Sequence, residues 1–226
     1  MTDGSSHKSF PIAKEALEFF VPFFLLGIIL FAINMLLSQP LILLWTIGGV
    51  FILFALFILY FFRNPTRKIN YEKGTILSPA YGKVVSITEV EEKEYLHRKV
   101  TRVSIFLRIY DVHMNYAPVN GTLEYKKYHK GRFGIAGFDK ASDLNEHMTL
   151  GVSGDGGKMS FKVIAGMFAR RIIIPMKENE SMLAGQRIGL IKFGSRADVF
   201  VPQEYEITVK TGEKVTGSQT VIARKK

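Results

Sequence analysis

The run Gly189-Leu190-Ile191-Lys192-Phe193-Gly194-Ser195-Arg196-Ala197-Asp198 contains a peptide bond that can react on itself. A serine hydroxyl held over the carbonyl of the preceding glycine can attack it. The chain then passes through an ester and breaks at Gly194-Ser195, and the serine can end as a pyruvoyl group. Such an attack needs a base or oxyanion stabilisation, because a serine hydroxyl is a weak nucleophile. Gly-Ser pairs also sit in ordinary turns, so the surrounding elements decide what this one means.

Few other residues have chemistry to offer. His113, in Asp111-Val112-His113-Met114-Asn115-Tyr116-Ala117-Pro118, titrates near neutral pH and suits proton transfer. A structural histidine beside a strand is the equal alternative. Arg170, Arg171 and Arg196 can form paired bonds to a phosphate, with surface ion pairs as the alternative. Asn145, Glu146 and His147 lie in a polar stretch where solvent exposure is expected. Gly151 to Gly157 is glycine-rich but lacks the G-x-G-x-x-G order, so it reads as a hairpin turn. The chain has no cysteine, which excludes disulfides, thiol catalysis and cysteine-bound metals. No metal site is expected.

The elements that must position these residues fall into two parts. Phe19 to Leu37 and Leu41 to Phe62 carry no charged residue. Each is long enough to cross a hydrocarbon core as a helix, which takes about 20 apolar residues. Ser38-Gln39-Pro40 between them makes a turn. Lys8 and Lys14 precede the first span; Arg63, Arg67 and Lys68 follow the second. Positive charge at both outer ends predicts a hairpin with both ends in the cytoplasm. The expected organisation is a cytoplasmic segment 1–18, a transmembrane hairpin 19–62 and a catalytic domain 63–226. The net charge of +10 suits an anionic membrane face better than nucleic acid.

The domain from residue 63 reads as mainly β. Val100 to Leu107, Lys158 to Ile164, Arg171 to Pro175, Ile188 to Phe193 and Tyr205 to Val209 are rich in β-branched and aromatic residues. Asp155-Gly156 marks a hairpin turn. Helix signals are weaker: Asp139 to Met148 for one short helix, Gly166 to Ala169 for a turn. Ser78-Pro79-Ala80-Tyr81-Gly82-Lys83-Val84 resembles Ala117-Pro118-Val119-Asn120-Gly121-Thr122-Leu123, each with a proline and then a glycine three residues on. Glu178 to Gly189 adds a third turn-rich corner. The expected fold is α+β but mainly β: a barrel-sandwich, lipoyl-like core with few short helices, behind a two-helix transmembrane hairpin.

Several segments carry a family resemblance: Phe61-Phe62-Arg63-Asn64-Pro65, Asp111 to Pro118, Lys140-Ala141-Ser142, Asn145-Glu146, Ile164-Ala165-Gly166 with Ala169-Arg170-Arg171-Ile172, and Ile188 to Arg196. In this order and spacing, from about Phe61 to Pro202, the chain resembles the short, membrane-anchored form of phosphatidylserine decarboxylase. The resemblance implies a pyruvoyl-dependent carboxy-lyase that cuts itself between Gly194 and Ser195. Residues 1–194 would form the β subunit. Residues 195–226 would form an α subunit headed by a pyruvoyl cofactor made from Ser195, and the two would stay associated. The substrate would be phosphatidylserine in the cell membrane, decarboxylated to phosphatidylethanolamine through a Schiff base on the cytoplasmic side. His113 would handle a proton. No nucleic-acid partner is implied, and a homo-oligomer is left open.

The chain departs from the family at two places. It has Tyr81 where Pro-Ala-Asp-Gly has aspartate. It has Tyr116 where the short form has arginine and the long form histidine. In the long form the aspartate and histidine are assigned to activating the serine. A tyrosine, with an ordinary pKa of about 10, is a poor base at neutral pH. The alternatives are a processing-deficient relative acting as a membrane-bound binding protein, a lipoyl-like membrane adaptor, or a decarboxylase of a related serine phospholipid such as archaetidylserine.

Overall fold

Two uncharged stretches and a run of β-branched segments set the architecture. The computed structural model describes residues 11–131, 134, 144–166, 171–192 and 195–226. The chain divides at Thr66/Arg67 into a helical unit and a β unit, a few residues beyond the expected boundary at 62/63.

In the helical unit, α1 (Leu17–Leu36) and α2 (Ile42–Phe61) are long and apolar enough to cross a membrane. They approach closely at two glycines. A Cβ on Gly27 would lie 3.0 Å from the Gly48 carbonyl oxygen, and one on Gly48 would lie 2.5 Å from the Phe31 ring. Small residues let helix backbones pack where lipid offers no hydrophobic drive between helices. The turn is fixed by buried Asn34, whose amide donates to the Leu41 carbonyl (3.0 Å) and accepts from the Leu41 N–H (2.7 Å). Ala13 N–H donates to the Phe62 carbonyl at 2.9 Å, so the chain enters and leaves at one end of the hairpin.

The β unit runs β1 (Thr75–Leu77), β2 (Gly82–Glu92), β3 (Arg98–Leu107), β4 (Met114–Tyr116), β5 (Gly121–His129), β6 (His147–Gly154), β7 (Gly157–Ala165), β8 (Arg171–Ile173), β9 (Ser181–Met182), β10 (Arg187–Lys192), β11 (Ser195–Pro202), β12 (Tyr205–Ile207), β13 (Lys214–Val215) and β14 (Val221–Lys225). Eight strands form one antiparallel sheet in the order β13-β2-β3-β11-β7-β6-β5-β9; β4-β10-β8 and β1-β14-β12 form two smaller ones. Alternation places Val103, Ile105, Leu107, Leu150, Val152, Phe161, Val163, Ala197, Val199 and Val201 in one apolar core. Burying each of the valine, leucine, isoleucine and phenylalanine side chains is worth about 1.5–3 kcal/mol.

The two Pro-x-x-Gly corners are structural repeats that bind each other. Leu77 N–H donates to the Pro118 carbonyl at 2.8 Å, and Tyr116 N–H donates to the Pro79 carbonyl at 2.9 Å. Val84 N–H meets the Glu213 carbonyl at 2.9 Å, as Leu123 N–H meets that of Glu180 at 3.0 Å. The return bonds match too: Gly212 N–H to the Val84 carbonyl (2.8 Å), Asn179 N–H to that of Leu123 (2.7 Å). A Cβ at Gly82 or Gly121 would fall 2.3 Å from a neighbouring carbonyl oxygen, so both corners require glycine.

Two expectations need adjustment, and one strand is new. His147 and Met148 open β6 rather than closing a helix; residues 139–143 and 167–169 lie outside the described residues. Asn145, Glu146 and His147 are buried, not solvated: their backbone joins the sheet, with Glu146 accepting from Ala165 N–H at 2.8 Å. And β11, whose polar residues disguise a strand, lies at the centre of the large sheet.

The turn between β2 and β3 lies against β5, β6 and β7 through Glu94. Its carboxylate accepts from His129 Nε2 (2.6 Å), Lys162 Nζ (2.9 Å), Thr149 Oγ1 (3.1 Å) and the Tyr125 hydroxyl (3.3 Å). Burial pushes the Glu94 pKa up, but Lys162 and then His129 outweigh it and hold it down to about 2. A depressed carboxylate contributes stability that is full above its unfolded pKa and lost as pH falls through the folded value. Glu94→Gln should therefore lower stability at neutral pH by about 1–3 kcal/mol. The gap between variant and parent should shrink from pH 4.5 downward and vanish near pH 2, measured as chemical-unfolding midpoints by circular dichroism.

Candidate active site

The sheets place Ser195 at a junction. β10 ends at Lys192 in the small β4-β10-β8 sheet, and β11 begins at Ser195 in the large one. Gly194 and Phe193, which join them, lie outside the described residues. Ser195 is in register with Leu107 of β3 on one side and Ala165 of β7 on the other. β11 keeps this double ladder, pairing with β3 as far as Pro202 and with β7 as far as Phe200. Among the described residues no pairing joins β10 to β11, so a break between them would cost neither strand its ladder.

His113 is wholly buried in the segment that leads into β4. Its carbonyl accepts from Ile191 N–H at 3.1 Å, which sets it beside the end of β10. Nδ1 lies 2.8 Å from the Asp111 carbonyl. A carbonyl only accepts, so Nδ1 carries the proton and Nε2 has the lone pair. Two residues on, Asn115 is wholly buried, and neither its side-chain oxygen nor its nitrogen has a hydrogen-bond partner. Its strand pairs with β10 at Gly189. An orphaned buried amide is costly, and such groups mark sites completed by something else.

Asn145 secures the other flank. Its side-chain nitrogen donates to the Ala165 carbonyl at 2.8 Å, at the residue in register with Ser195. Asn115 and Asn145 drew no functional reading from the sequence, since only the topology brings them beside these strands.

Tyr81 and Tyr116, the two departures, stand together with ring centroids 6.0 Å apart, and Arg67 Nε donates to the Tyr81 hydroxyl at 3.3 Å. Burial first, and then Tyr81, pushes the Tyr116 phenol above its ordinary value, so it stays protonated at neutral pH. Tyr116 pairs with Arg187, at the opposite end of β10 from Lys192.

The arginines part company. Arg170 lies outside the described residues, and Arg171 opens β8 opposite Lys192 of β10. Arg196 is wholly buried. Its Nε donates to Asp198 Oδ1 at 2.7 Å and its Nη2 to Ser104 Oγ at 2.6 Å. The guanidinium thus anchors β11 to β3 from the face opposite the apolar core. Removing one partner of a buried ion pair leaves the other charge uncompensated. Asp198→Ala should lower stability by about 3–5 kcal/mol, read as a shift in the unfolding midpoint.

The chain is similar to known proteins over most of its length. Residues 54–223 match the family model described as phosphatidylserine decarboxylase. A phosphatidylserine decarboxylase proenzyme of Amoebophilus asiaticus is 45% identical over 173 residues, 76% of this chain and 77% of that protein. One from Symbiobacterium thermophilum is 41% identical, covering 80% and 84% of the two chains. One from Parabacteroides distasonis is 39% identical, covering 87% and 91%.

Proposed function

The chain belongs to the phosphatidylserine decarboxylase family, and from that premise we propose that it is a proenzyme that cuts itself between Gly194 and Ser195 and converts phosphatidylserine to phosphatidylethanolamine. The observation that carries the reading is the placement of Ser195 as the first residue of β11, between β3 and β7. Attack by the Ser195 hydroxyl on the Gly194 carbonyl breaks the amide C–N bond and gives an ester. Elimination then expels the Gly194 carboxylate and leaves a dehydroalanine at 195, whose imine tautomer is hydrolysed by water with loss of ammonia to the pyruvoyl group, separating residues 1–194 from residues 195–226. The small fragment keeps β11, β12, β13 and β14, each paired outside the break or with one another, so the two subunits stay associated.

Two side chains on the segment that pairs with β10 would suit a pyruvoyl group made from Ser195. The orphaned Asn115 amide offers a donor and an acceptor, and His113 offers a ring nitrogen. When present, the pyruvoyl group supplies an electron sink for the charge left as carbon dioxide departs. The protein's own part is orientation and proton delivery. Nδ1 of His113 donates to the Asp111 carbonyl, so the proton for the substrate carbon is carried by Nε2, which takes it up from solvent before delivering it. Asn115 orients the serine head group. Arg171, with Arg170 before it, meets the lipid phosphate. Arg196, spent on Asp198 and Ser104, is assigned to holding β11 instead.

A lipid with two acyl chains stays in the bilayer, so an enzyme acting on its head group gains from a tether there. α1 and α2 provide the membrane hairpin, and the basic flanks put the catalytic unit on the cytoplasmic side. With the Tyr116 phenol held protonated, the base for Ser195 is sought elsewhere than in the tyrosine pair.

The test is a comparison of variants by intact mass and by release of carbon dioxide from phosphatidylserine in mixed micelles. Ser195→Ala should remain one chain and lose all activity. His113→Ala should still cleave but lose about 100-fold or more in decarboxylation, the scale of a general acid. Cleavage at the same bond in Ser195→Ala would overturn the reading. A cut His113→Ala protein with full activity would remove His113 from proton delivery.

A further inference from the structure

Away from Ser195, Glu94, His129 and His147 bring three metal-binding side chains to one spot in the large sheet. One ligand atom from each lies within 4.8 Å of the others. They come from three elements: the β2–β3 turn, the last residue of β5 and the first residue of β6. The two histidines are register partners, and their rings stack with centroids 4.4 Å apart.

We propose that this cluster binds one divalent transition-metal ion, of the zinc class, through Glu94 Oε2, a ring nitrogen of His129 and Nε2 of His147. Two imidazoles and one carboxylate suit zinc and its neighbours, whereas magnesium and calcium prefer oxygen alone. Bonds of about 2.0–2.1 Å in tetrahedral geometry set ligand atoms roughly 3.3 Å apart. The ligand atoms lie within 4.8 Å of one another, with His129 Nε2 2.6 Å from Glu94 Oε2, so side-chain shifts of about an ångström reach that spacing. Binding replaces the proton shared by that pair, which leaves to solvent.

The second layer is arranged as metal sites arrange theirs. His147 Nδ1 lies 2.7 Å from the Asn145 carbonyl, so it donates there and Nε2 carries the lone pair. A backbone carbonyl on the non-ligating nitrogen is what orients metal-bound histidines. Lys162 and Thr149 both engage Glu94 Oε1, which orients the carboxylate and leaves Oε2 toward His129, with the Tyr125 hydroxyl at 3.3 Å. The Lys162 ammonium also opposes a cation, so it weakens the site and sets its affinity.

The ion would clamp the β2–β3 turn to the ends of β5 and β6. From His147 the path to the scissile strand is short. Asn145, whose carbonyl holds His147, also bonds the Ala165 carbonyl, and Ala165 is in register with Ser195. The site is therefore a brace for the strands that hold Ser195, separate from the decarboxylation itself.

The experiment uses the full chain in detergent, stripped with a chelator. Zinc is titrated by calorimetry, and cobalt by visible absorption. The expected result is about one equivalent of either metal, cobalt bands of a four-coordinate site, and a higher unfolding midpoint with zinc. His129→Gln and His147→Gln should each weaken binding by about tenfold or more, and Lys162→Gln should tighten it. The zinc-dependent rise in midpoint should disappear in the double histidine variant. Absence of cobalt bands in the parent protein overturns the proposal without any variant. So does stoichiometric binding that persists in the double variant, which would leave the cluster an ion-pair network only.

Discussion

The double ladder of β11 is the constraint on which the rest depends. β11 is held by β3 on one edge and by β7 on the other, from Ser195 onward. Its apolar face, Ala197, Val199 and Val201, enters the main core. Its polar face is buried as well, where Arg196 and Asp198 satisfy each other. A strand fixed on two edges and two faces has almost no freedom, and Ser195 is its first residue.

That arrangement would reconcile the proposed self-cleavage with a stable product. A broken backbone usually releases loop ends or frays a strand. The proposed break falls between strands that, among the described residues, do not pair with each other, so the hydrogen-bond ladders on both sides would persist. The buried Arg196–Asp198 pair serves the same end from the outer face: both partners lie on β11, and the guanidinium also donates across to Ser104 of β3. Its worth is in specifying position, because an apolar pair of the same volume could be as stabilising.

Much of this was legible in the sequence. The uncharged spans read directly as helices because length and composition are sufficient. The Pro-x-x-Gly repeat was visible because each corner needs a glycine beside a carbonyl oxygen. β11 was not read as a strand, since Arg196 and Asp198 look like surface residues until their mutual pairing is known. Asn145, Glu146 and His147 looked solvated for the same reason. Burial of a polar group depends on partners far away in sequence, and those partners appear only with the topology. Glu94, His129 and His147 illustrate this most fully, since no spacing between them resembles a ligand motif. The nearness of Tyr81 to Tyr116 also emerged only from the fold, when the two corners proved to bond each other.

The most direct test of the central claim is the mass of the C-terminal fragment of the purified full chain, taken before and after hydroxylamine. The account predicts a fragment spanning residues 195–226 with a blocked first residue, and a mass increase of one oxime on treatment. A single intact chain of 226 residues with no reactive carbonyl would contradict it.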